Sequence, residues 1–313
     1  MSTLDIVIPT FNSELTIEQT LASIARQTVL PRTVYLVDDC STDKTIVKVC
    51  SFKSELNLRI IEFKSNNGPW AARNAGVRYS NAEFIAFVDS DDVLLPEHVS
   101  THLDLFKQGY DAVATNYFDW IPEIDKTRLD PRKFPKKQDH EKQILKRNFV
   151  AGFSSIKREI FEEIGGFRPE VTEDWDLWIR FFRGNYSISK TLNPTYLYRW
   201  RTGSISRAPE AYSRDLNTLK IARMETGSRN RKVSIDIKVI LMMSHTFVSR
   251  DRYYLEQEAK IVSTFPLAVR VIDATLKHID NVLPLGFKKM IVHKQLQIRN
   301  HHFEKSGFGV IDR

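Results

Sequence analysis

Four short runs near the start of the chain are apolar almost without interruption: "LDIVIP" (4–9), "TVYLVD" (33–38), "LRIIEF" (58–63) and "FIAFVD" (84–89). A strand with one wet face alternates polar and apolar residues. These runs do not alternate, so each is expected to be buried on both faces, as in a parallel sheet covered by helices. The stretches between them have helical spacing. Glu14–Gln27 puts Ile17, Leu21 and Ile24 on one face, Asp43–Ser54 follows, and Pro69–Tyr79 opens with proline in the first turn. Strand and helix in alternation predict an α/β fold, a doubly wound, mostly parallel sheet with flanking helices.

Ligands of such sheets bind beyond the carboxyl ends of the strands. The residues there are "PTFN" (9–12), "DDCSTD" (38–43), "NNG" (66–68) and "DSDD" (89–92). The last places Asp89, Asp91 and Asp92 within four positions, where like charges repel and desolvation is costly. Capping the next predicted helix, Pro96–Gln108, would use one Asp and leave two unexplained. A D-x-D pair at a strand end suits a divalent cation.

Downstream, "DAVATNYF" (111–118) reads as a strand and 121–143 as an exposed loop. Residues 153–167 read as a strand and a short helix stopped by Gly165 and Gly166. "TEDWDLWIRFFRGN" (172–185) reads as an amphipathic helix whose acids at 173, 174 and 176 sit where the helix dipole favours them. Beyond about 207 the pattern is purely helical, near 210–226, 232–248, 251–264 and 266–300. This divides the chain into an α/β domain (1–206) and a C-terminal helical extension (207–313).

Charge separates the same two parts. The total is 46 Lys/Arg against 39 Asp/Glu, but residues 1–110 hold 10 against 14, which leaves 36 against 25 for the remainder. Residues 207–313 alone hold 19 against 11, net +8. Basic residues are not interleaved with aromatics in a nucleic-acid pattern, so no nucleic-acid partner is expected. A helix over 265–295 mixing Leu, Ile, Val and Phe with Lys and His could lie on an anionic membrane surface, or pack on the α/β domain or a second subunit as a homo-oligomer contact. With no charge-free window of about 18 residues and no basic leader, a cytoplasmic protein is expected, at most peripheral on the inner face of the cell membrane. Cys40 and Cys50 lack disulfide-framework or zinc-ligand spacing and read as reduced thiols.

"IVIPTFN", "VDDCSTD", "NNGPWAARNAG" and "FVDSDD", in this order and at these intervals, resemble the inverting GT-A glycosyltransferases of family 2 over about residues 3–206. The resemblance implies that Pro9, Thr10 and Phe11 line the base, with the Phe11 ring stacked on it, and that Asp39 accepts a hydrogen bond from the base edge with Asp38 behind it. Ser41 and Asp43 read as turn and helix-cap residues. Asn67 and Arg73 are implied nucleotide contacts, Gly68 and Gly76 permit close backbone approach, and Trp70 packs.

The resemblance further makes Asp89 a ribose or metal contact and Asp91 the direct ligand of Mn²⁺ or Mg²⁺ bridging the two phosphates. Asp92 is the weaker candidate. "TEDWDLW" matches the element whose aspartate, here Asp174, is the catalytic base; Glu173 and Asp176 are capping candidates, and Trp175 or Trp178 could stack on a sugar. "YLYRWRTGSIS" (196–206) resembles the family's closing segment, with Arg201 where many members have a histidine.

The expected activity is transfer of a sugar from a nucleotide sugar, a UDP-sugar by family habit, to a glycan on a polyprenyl-diphosphate carrier in surface polysaccharide assembly. Two rivals are a sugar nucleotidyltransferase, whose glycine-rich basic loop is missing from "PTFNSEL", and a non-catalytic nucleotide-sugar-binding or scaffold protein.

Overall fold

The computed structural model describes residues 2–52, 54–122, 126–130, 133–200, 211–246, 265 and 267. It falls into two compact units, one of residues 1–141, 148–169 and 173–204, the other of 142–147, 170–172 and 205–313. Arg201 and the stretches 251–264 and 268–300 lie outside the described residues.

In the first unit β1 (Leu4–Thr10), α1 (Ile17–Ala25), β2 (Thr33–Asp38), α2 (Thr45–Cys50), β3 (Leu58–Glu62), α3 (Pro69–Tyr79) and β4 (Phe84–Phe87) alternate as the apolar runs require. β1 pairs in parallel with β2 and β4, and β2 with β3. β1, β2 and β4 are buried throughout, and Ile6, Ile8, Leu36 and Ile85 are fully enclosed. Burying each such side chain contributes about 1.5–3 kcal/mol. β3 departs from expectation. Among the described residues it is the edge of the sheet, and its side chains are partly buried or, at Arg59 and Glu62, exposed.

After the two-residue β5 (Val93–Leu94), α4 (His98–Lys107) and β6 (Ala112–Ala114), the predicted strand 111–118 breaks in two. β7 (Tyr117–Ile121) leaves the main sheet and joins a second one with β8 (Lys126–Leu129), a strand inside the segment expected to be a loop. α5 (His140–Ile144) closes that segment. β9 (Ser155–Lys157), α6 (Arg158–Glu163), α7 (Glu173–Arg183), β10 (Ile188–Lys190) and β11 (Tyr196–Arg199) follow. The main sheet has the order β10-β6-β9-β4-β1-β2-β3, with β9 antiparallel to both neighbours; the second has the order β5-β11-β7-β8.

α3 lies close on β1. A Cβ on Gly76 would stand 2.4 Å from a Val7 methyl, so this position admits only glycine at the observed spacing. On α4, His98 and His102 are both fully buried, their rings 4.1 Å apart. Their Nδ1 atoms pair with Thr195 Oγ1 at 3.0 Å and Ser155 Oγ at 2.7 Å. Burial holds the His98 imidazole down to about 3, and burial followed by the neighbouring His98 holds His102 well below the usual range.

A histidine depressed in the folded state stabilises it at pH values above its unfolded pKa and loses that contribution as pH falls from about 6.5 toward the folded value. Stability should therefore decline below pH 6.5 with a slope of up to about 1.4 kcal/mol per pH unit for each ring. Urea midpoints between pH 7.5 and 4.5 measure it. Replacing both rings, His98→Gln with His102→Gln, should flatten that limb; an equally steep decline in the double variant would exclude the pair as its source.

In the second unit, α8 (Ala211–Glu225) and α9 (Arg229–Thr246) pack through buried Leu216, Leu219, Ala222, Ile235 and Val239, and Arg223 pairs with Asp236 at 2.7 Å. Thr172 donates its hydroxyl to Asp215 and its amide to Thr218 Oγ1, tying the short segment 170–172 to α8. No helix among the described residues is long and apolar enough to cross a membrane.

Candidate active site

Parallel pairing fixes which loops meet. Thr10 is in register with Asp38 and Asp38 with Glu62, while Val7 opposes Phe87, so β1, β2, β3 and β4 all exit on one edge. The loop after β1 is stitched to the loop after β2. The Asn12 amide donates to Ser41 Oγ at 2.9 Å, and Asn12 Oδ1 accepts from the Thr42 amide at 2.9 Å. Asn12 and Cys40 both have positive φ, 47° and 70°, the backbone cost of two tight turns at this edge. Asp38 accepts from Ser41, and Asp43 accepts from the Thr45 and Glu14 amides, so Ser41 is a turn residue and Asp43 holds the start of α2 from the position before its N-cap, Lys44.

Of the three residues expected to line a base, Pro9 and Thr10 are buried, and only Phe11, 48% exposed, is open to solvent. Asp39 is almost fully buried. Its Oδ1 accepts the Asn67 amide at 2.7 Å and its Oδ2 the Gly68 amide at 2.8 Å. Asp39 thus clamps the third loop onto the second, a role the sequence did not disclose, and each oxygen retains a lone pair for a ligand. Asn67 is exposed, Gly68 takes the φ of +87° that starts α3, and Trp70 is partly buried beside it.

Arg73, expected as a cationic fork near a diphosphate or an acidic loop, lies on the acidic side of that choice and is held by protein carboxylates. It is 8% exposed, and it donates to Asp89 Oδ1 at 2.6 Å and to Glu173 Oε1. Burial alone would lower its pKa, but Glu173 and then Asp89 override that and raise it. The bridge joins residues 73, 89 and 173, from α3, the turn after β4 and the start of α7. It brings the D-x-D turn and the Glu173-Asp174 pair to one place.

The three acids of that turn have separate surroundings. Asp89 faces Arg73; Asp91 is partly exposed; Asp92 is completely buried. Asp92 does not cap α4, whose N-cap is Glu97. It accepts the Tyr196 hydroxyl at 2.8 Å and the Arg199 amide at 2.7 Å. Burial, then repulsion from Asp91 and Asp89, pushes the Asp92 carboxyl well above the usual range.

Asp174 begins α7 with its carboxylate held on both sides. Asn148 Nδ2 donates to Oδ2 at 2.8 Å and the Trp175 amide to Oδ1 at 2.9 Å. Burial raises its pKa, against the lowering pull of Arg73. Gly152 lies beside it, where a Cβ would stand in ordinary van der Waals contact, 3.4 Å from Asp174 Oδ2. A carboxylate raised above its ordinary range by burial and oriented by two donors is suited to take a proton from a hydroxyl.

The neighbouring acids divide differently from the sequence reading. Glu173 is raised by burial and paired with Arg73. Asp176 is buried on Arg180 at 2.6 Å, and Arg180 also donates to the Gly166 carbonyl at 2.6 Å, so the pair anchors the turn before α7. Sugar stacking by Trp175 or Trp178 does not hold: they are 3% and 1% exposed, and α7 turns both into the core.

Asn148, Tyr196 and Arg199 are site residues the sequence reading missed. Asn148 lay in no recognisable motif, and the signal for Arg199 was drawn to Arg201 two positions on. The Arg199 guanidinium stands 4.4 Å over the Trp120 ring, and its Nε donates to the Asp91 carbonyl at 2.5 Å.

Among the described residues no three His, Cys, Asp or Glu side chains converge to hold an ion on their own. Two hard carboxylates at the cleft edge, Asp89 and Asp91, fit a cation that draws its remaining oxygen ligands from a diphosphate.

Comparison with known proteins follows the same lines. A stretch of 101 residues is 40% identical to the poly(ribitol-phosphate) beta-N-acetylglucosaminyltransferase TarS of Staphylococcus aureus, covering 31% of this chain and only 18% of that protein. Over 235 residues the chain is 25% identical to a GalNAc(5)-diNAcBac-PP-undecaprenol beta-1,3-glucosyltransferase of Campylobacter jejuni, covering 72% of this chain and 74% of that one. The crystal structure of S. aureus TarS 1-349 in complex with UDP-GlcNAc superposes with a TM-score of 0.66 at 19% identity, covering 99% of this chain and 95% of that one. A mannosyltransferase of Pyrobaculum calidifontis in complex with GDP-Man and Mn2+ superposes with a TM-score of 0.57 at 16% identity, covering 96% and 87%. These structures share the fold, a mostly parallel sheet flanked by helices. The family model for Glycosyl transferase family 2 matches residues 5–165, half of the chain and all four loops of the cleft edge, and the chain is a member of that family.

Proposed function

We propose that this chain is an inverting glycosyltransferase that moves a sugar from a UDP-sugar to a hydroxyl of a lipid-linked glycan in the assembly of a bacterial surface polysaccharide. The observation that supports the reading is the Glu173–Arg73–Asp89 bridge, which joins the turn carrying Asp89 and Asp91 to the residue before Asp174. The similar proteins add the chemistry of donor and acceptor: TarS is crystallised with UDP-GlcNAc, and the C. jejuni relative is named for a polyprenol-diphosphate acceptor.

In this reading Phe11 offers an exposed ring to the base, and aromatic stacking accepts any base. Asp39 and the amide-clamped loop 66–68 shape the nucleoside pocket. Asp89 and Asp91 hold Mn²⁺ or Mg²⁺, as the Mn2+ of the P. calidifontis neighbour supports. When bound, the cation neutralises charge on the departing diphosphate. Asp174 takes the acceptor proton as the acceptor oxygen attacks the anomeric carbon from the face opposite the diphosphate, which inverts that carbon. Arg201, which departs from the family's histidine and whose guanidinium would neutralise phosphate directly, lies outside the described residues. Assignment of 207–313 to a membrane surface or to a second subunit remains part of this proposal, as does a cytoplasmic location.

The testing experiment incubates the protein with a panel of UDP-, GDP- and dTDP-sugars and Mn²⁺ and follows nucleoside diphosphate release. Turnover with one donor is expected; binding without release by any donor and acceptor would favour the scaffold reading. Asp91→Asn should weaken metal-dependent UDP binding at least about tenfold, about 1.4 kcal/mol, because it removes a charged ligand. Titration calorimetry with and without Mn²⁺ measures this, and unaltered metal-dependent affinity would remove Asp91 from the metal site.

A further inference from the structure

We propose that Asp92, Tyr196 and Arg199 form a buried latch by which β11 sets the geometry of the Asp89–Asp91 turn, making all three positioning residues for the cation–diphosphate site. The inference rests on the reading of Asp89 and Asp91 as cation ligands.

Asp92 and Tyr196 are each 0% exposed, so neither reaches a ligand. Their bonds go to the backbone on either side of the ligating positions. The Tyr196 hydroxyl donates to Asp92 Oδ2 at 2.8 Å and accepts the Asp89 amide at 3.2 Å. The Arg199 amide donates to Asp92 Oδ1 at 2.7 Å, and Arg199 Nε donates to the Asp91 carbonyl at 2.5 Å. Thr20 Oγ1 closes the remaining sides by donating to the Ser90 carbonyl at 3.1 Å and the Asp92 carbonyl at 2.8 Å. The Asp89 amide and the Ser90, Asp91 and Asp92 carbonyls are thereby tied to β11 or α1, and the Asp92 amide closes the turn on the Asp89 carbonyl at 3.2 Å.

The latch is itself rigid. Tyr196 stacks on Phe153 with ring centroids 4.1 Å apart, and β11 is in register with β5 directly after the turn and with β7 on its other side. The Arg199 guanidinium is pinned over Trp120. A buried carboxylate beside two others is a costly way to hold a loop. Its cost is understandable where two ligating side chains must be held to a fraction of an ångström, and losing such outer partners weakens metal affinity about 10–100-fold.

Tyr196→Phe keeps the stacked ring and removes only the hydroxyl. In the full chain, UDP affinity is measured by calorimetry with Mn²⁺ and with chelator, counted per folded molecule by circular dichroism. Expected are a loss of about tenfold or more with Mn²⁺, less than twofold change in chelator, and a raised Mn²⁺ requirement with kcat recovered at saturating metal. A merely structural role would reduce the folded fraction and leave the affinity of folded molecules alone. Metal-dependent affinity within twofold of the unaltered chain, in a background where Asp91→Asn has lost it, overturns the latch. Loss of nothing by Asp91→Asn overturns instead the reading of the metal site. If Tyr196→Phe does not fold, Arg199→Lys, which keeps the charge but gives up Nε and the planar stack, is measured in the same way; wild-type affinity there also overturns the latch.

Discussion

Asp174→Asn should abolish sugar transfer, lowering kcat by about 10²–10⁴-fold, while UDP-sugar affinity stays within about twofold. The substitution preserves shape and removes only the ability to accept a proton. The carboxylate sits between two donors, Asn148 Nδ2 and the Trp175 amide, so an asparagine keeps one of the two bonds and turns its NH₂ toward the other donor. That mismatch costs about 1–3 kcal/mol of stability, which is checked by thermal unfolding and kept separate from turnover. The pH dependence supplies a second reading. Burial raises the Asp174 pKa, so the acid limb of the rate profile should lie above the usual aspartate range, with activity lost as pH falls through the raised value and the base becomes protonated. The linkage to stability has the opposite sign: a carboxyl raised in the folded state disfavours folding at neutral pH, and that penalty is relieved as pH falls. An acid limb reflecting Asp174 is therefore a loss of chemistry in a chain whose base site is becoming no less stable. Wild-type turnover by Asp174→Asn would remove it as the base.

The parts of this molecule that were legible in its sequence are those where local pattern and global fold agree. β1, β2 and β4 carry uninterrupted apolar runs because both of their faces are covered, and their carboxyl ends then had to share one edge. α7 was legible because its acids open it and its arginines, Arg180 and Arg183, close it, in accord with the helix dipole. What stayed hidden was tertiary. The edge position of β3 depends on which strand is missing beside it, and the departure of β7 into a second sheet depends on its pairing with β11, some 80 residues on. The same holds at the site. Three adjacent aspartates look equivalent in the sequence, and only the fold gives Asp89 to Arg73, buries Asp92 on Tyr196 and leaves Asp91 at the opening. Asn148 and the Asp39 clamp were invisible because isolated hydrogen bonds between residues distant in sequence leave no periodicity to read.

Arg73→Met should be the most damaging change to stability among the site residues. Methionine preserves most of the buried stem that lies near the Phe167 ring, so packing is retained and charge alone is lost. It leaves Asp89 and Glu173, only 28% and 20% exposed at their side chains, facing each other without a counter-ion. Removing one partner of a buried ion pair costs about 3–5 kcal/mol, and the residual water access of these two carboxylates places the expectation near about 3 kcal/mol. Glu173 is already raised by burial with Arg73 opposing, so without the guanidinium it rises further. A group raised in the folded state harms stability above its pKa and ceases to as it becomes protonated; the deficit should be largest at pH 7.5 and shrink as pH falls through the carboxylate range. Asp174 also loses the cation that pulls its pKa down, so the acid limb of any remaining activity should move to higher pH. Urea unfolding at pH 7.5 and 5, beside a pH–rate profile, measures both. A deficit under about 1 kcal/mol at pH 7.5 would show that water, rather than Arg73, compensates the two acids, and would remove the Glu173–Arg73–Asp89 bridge as the tie between the Asp89 turn and α7.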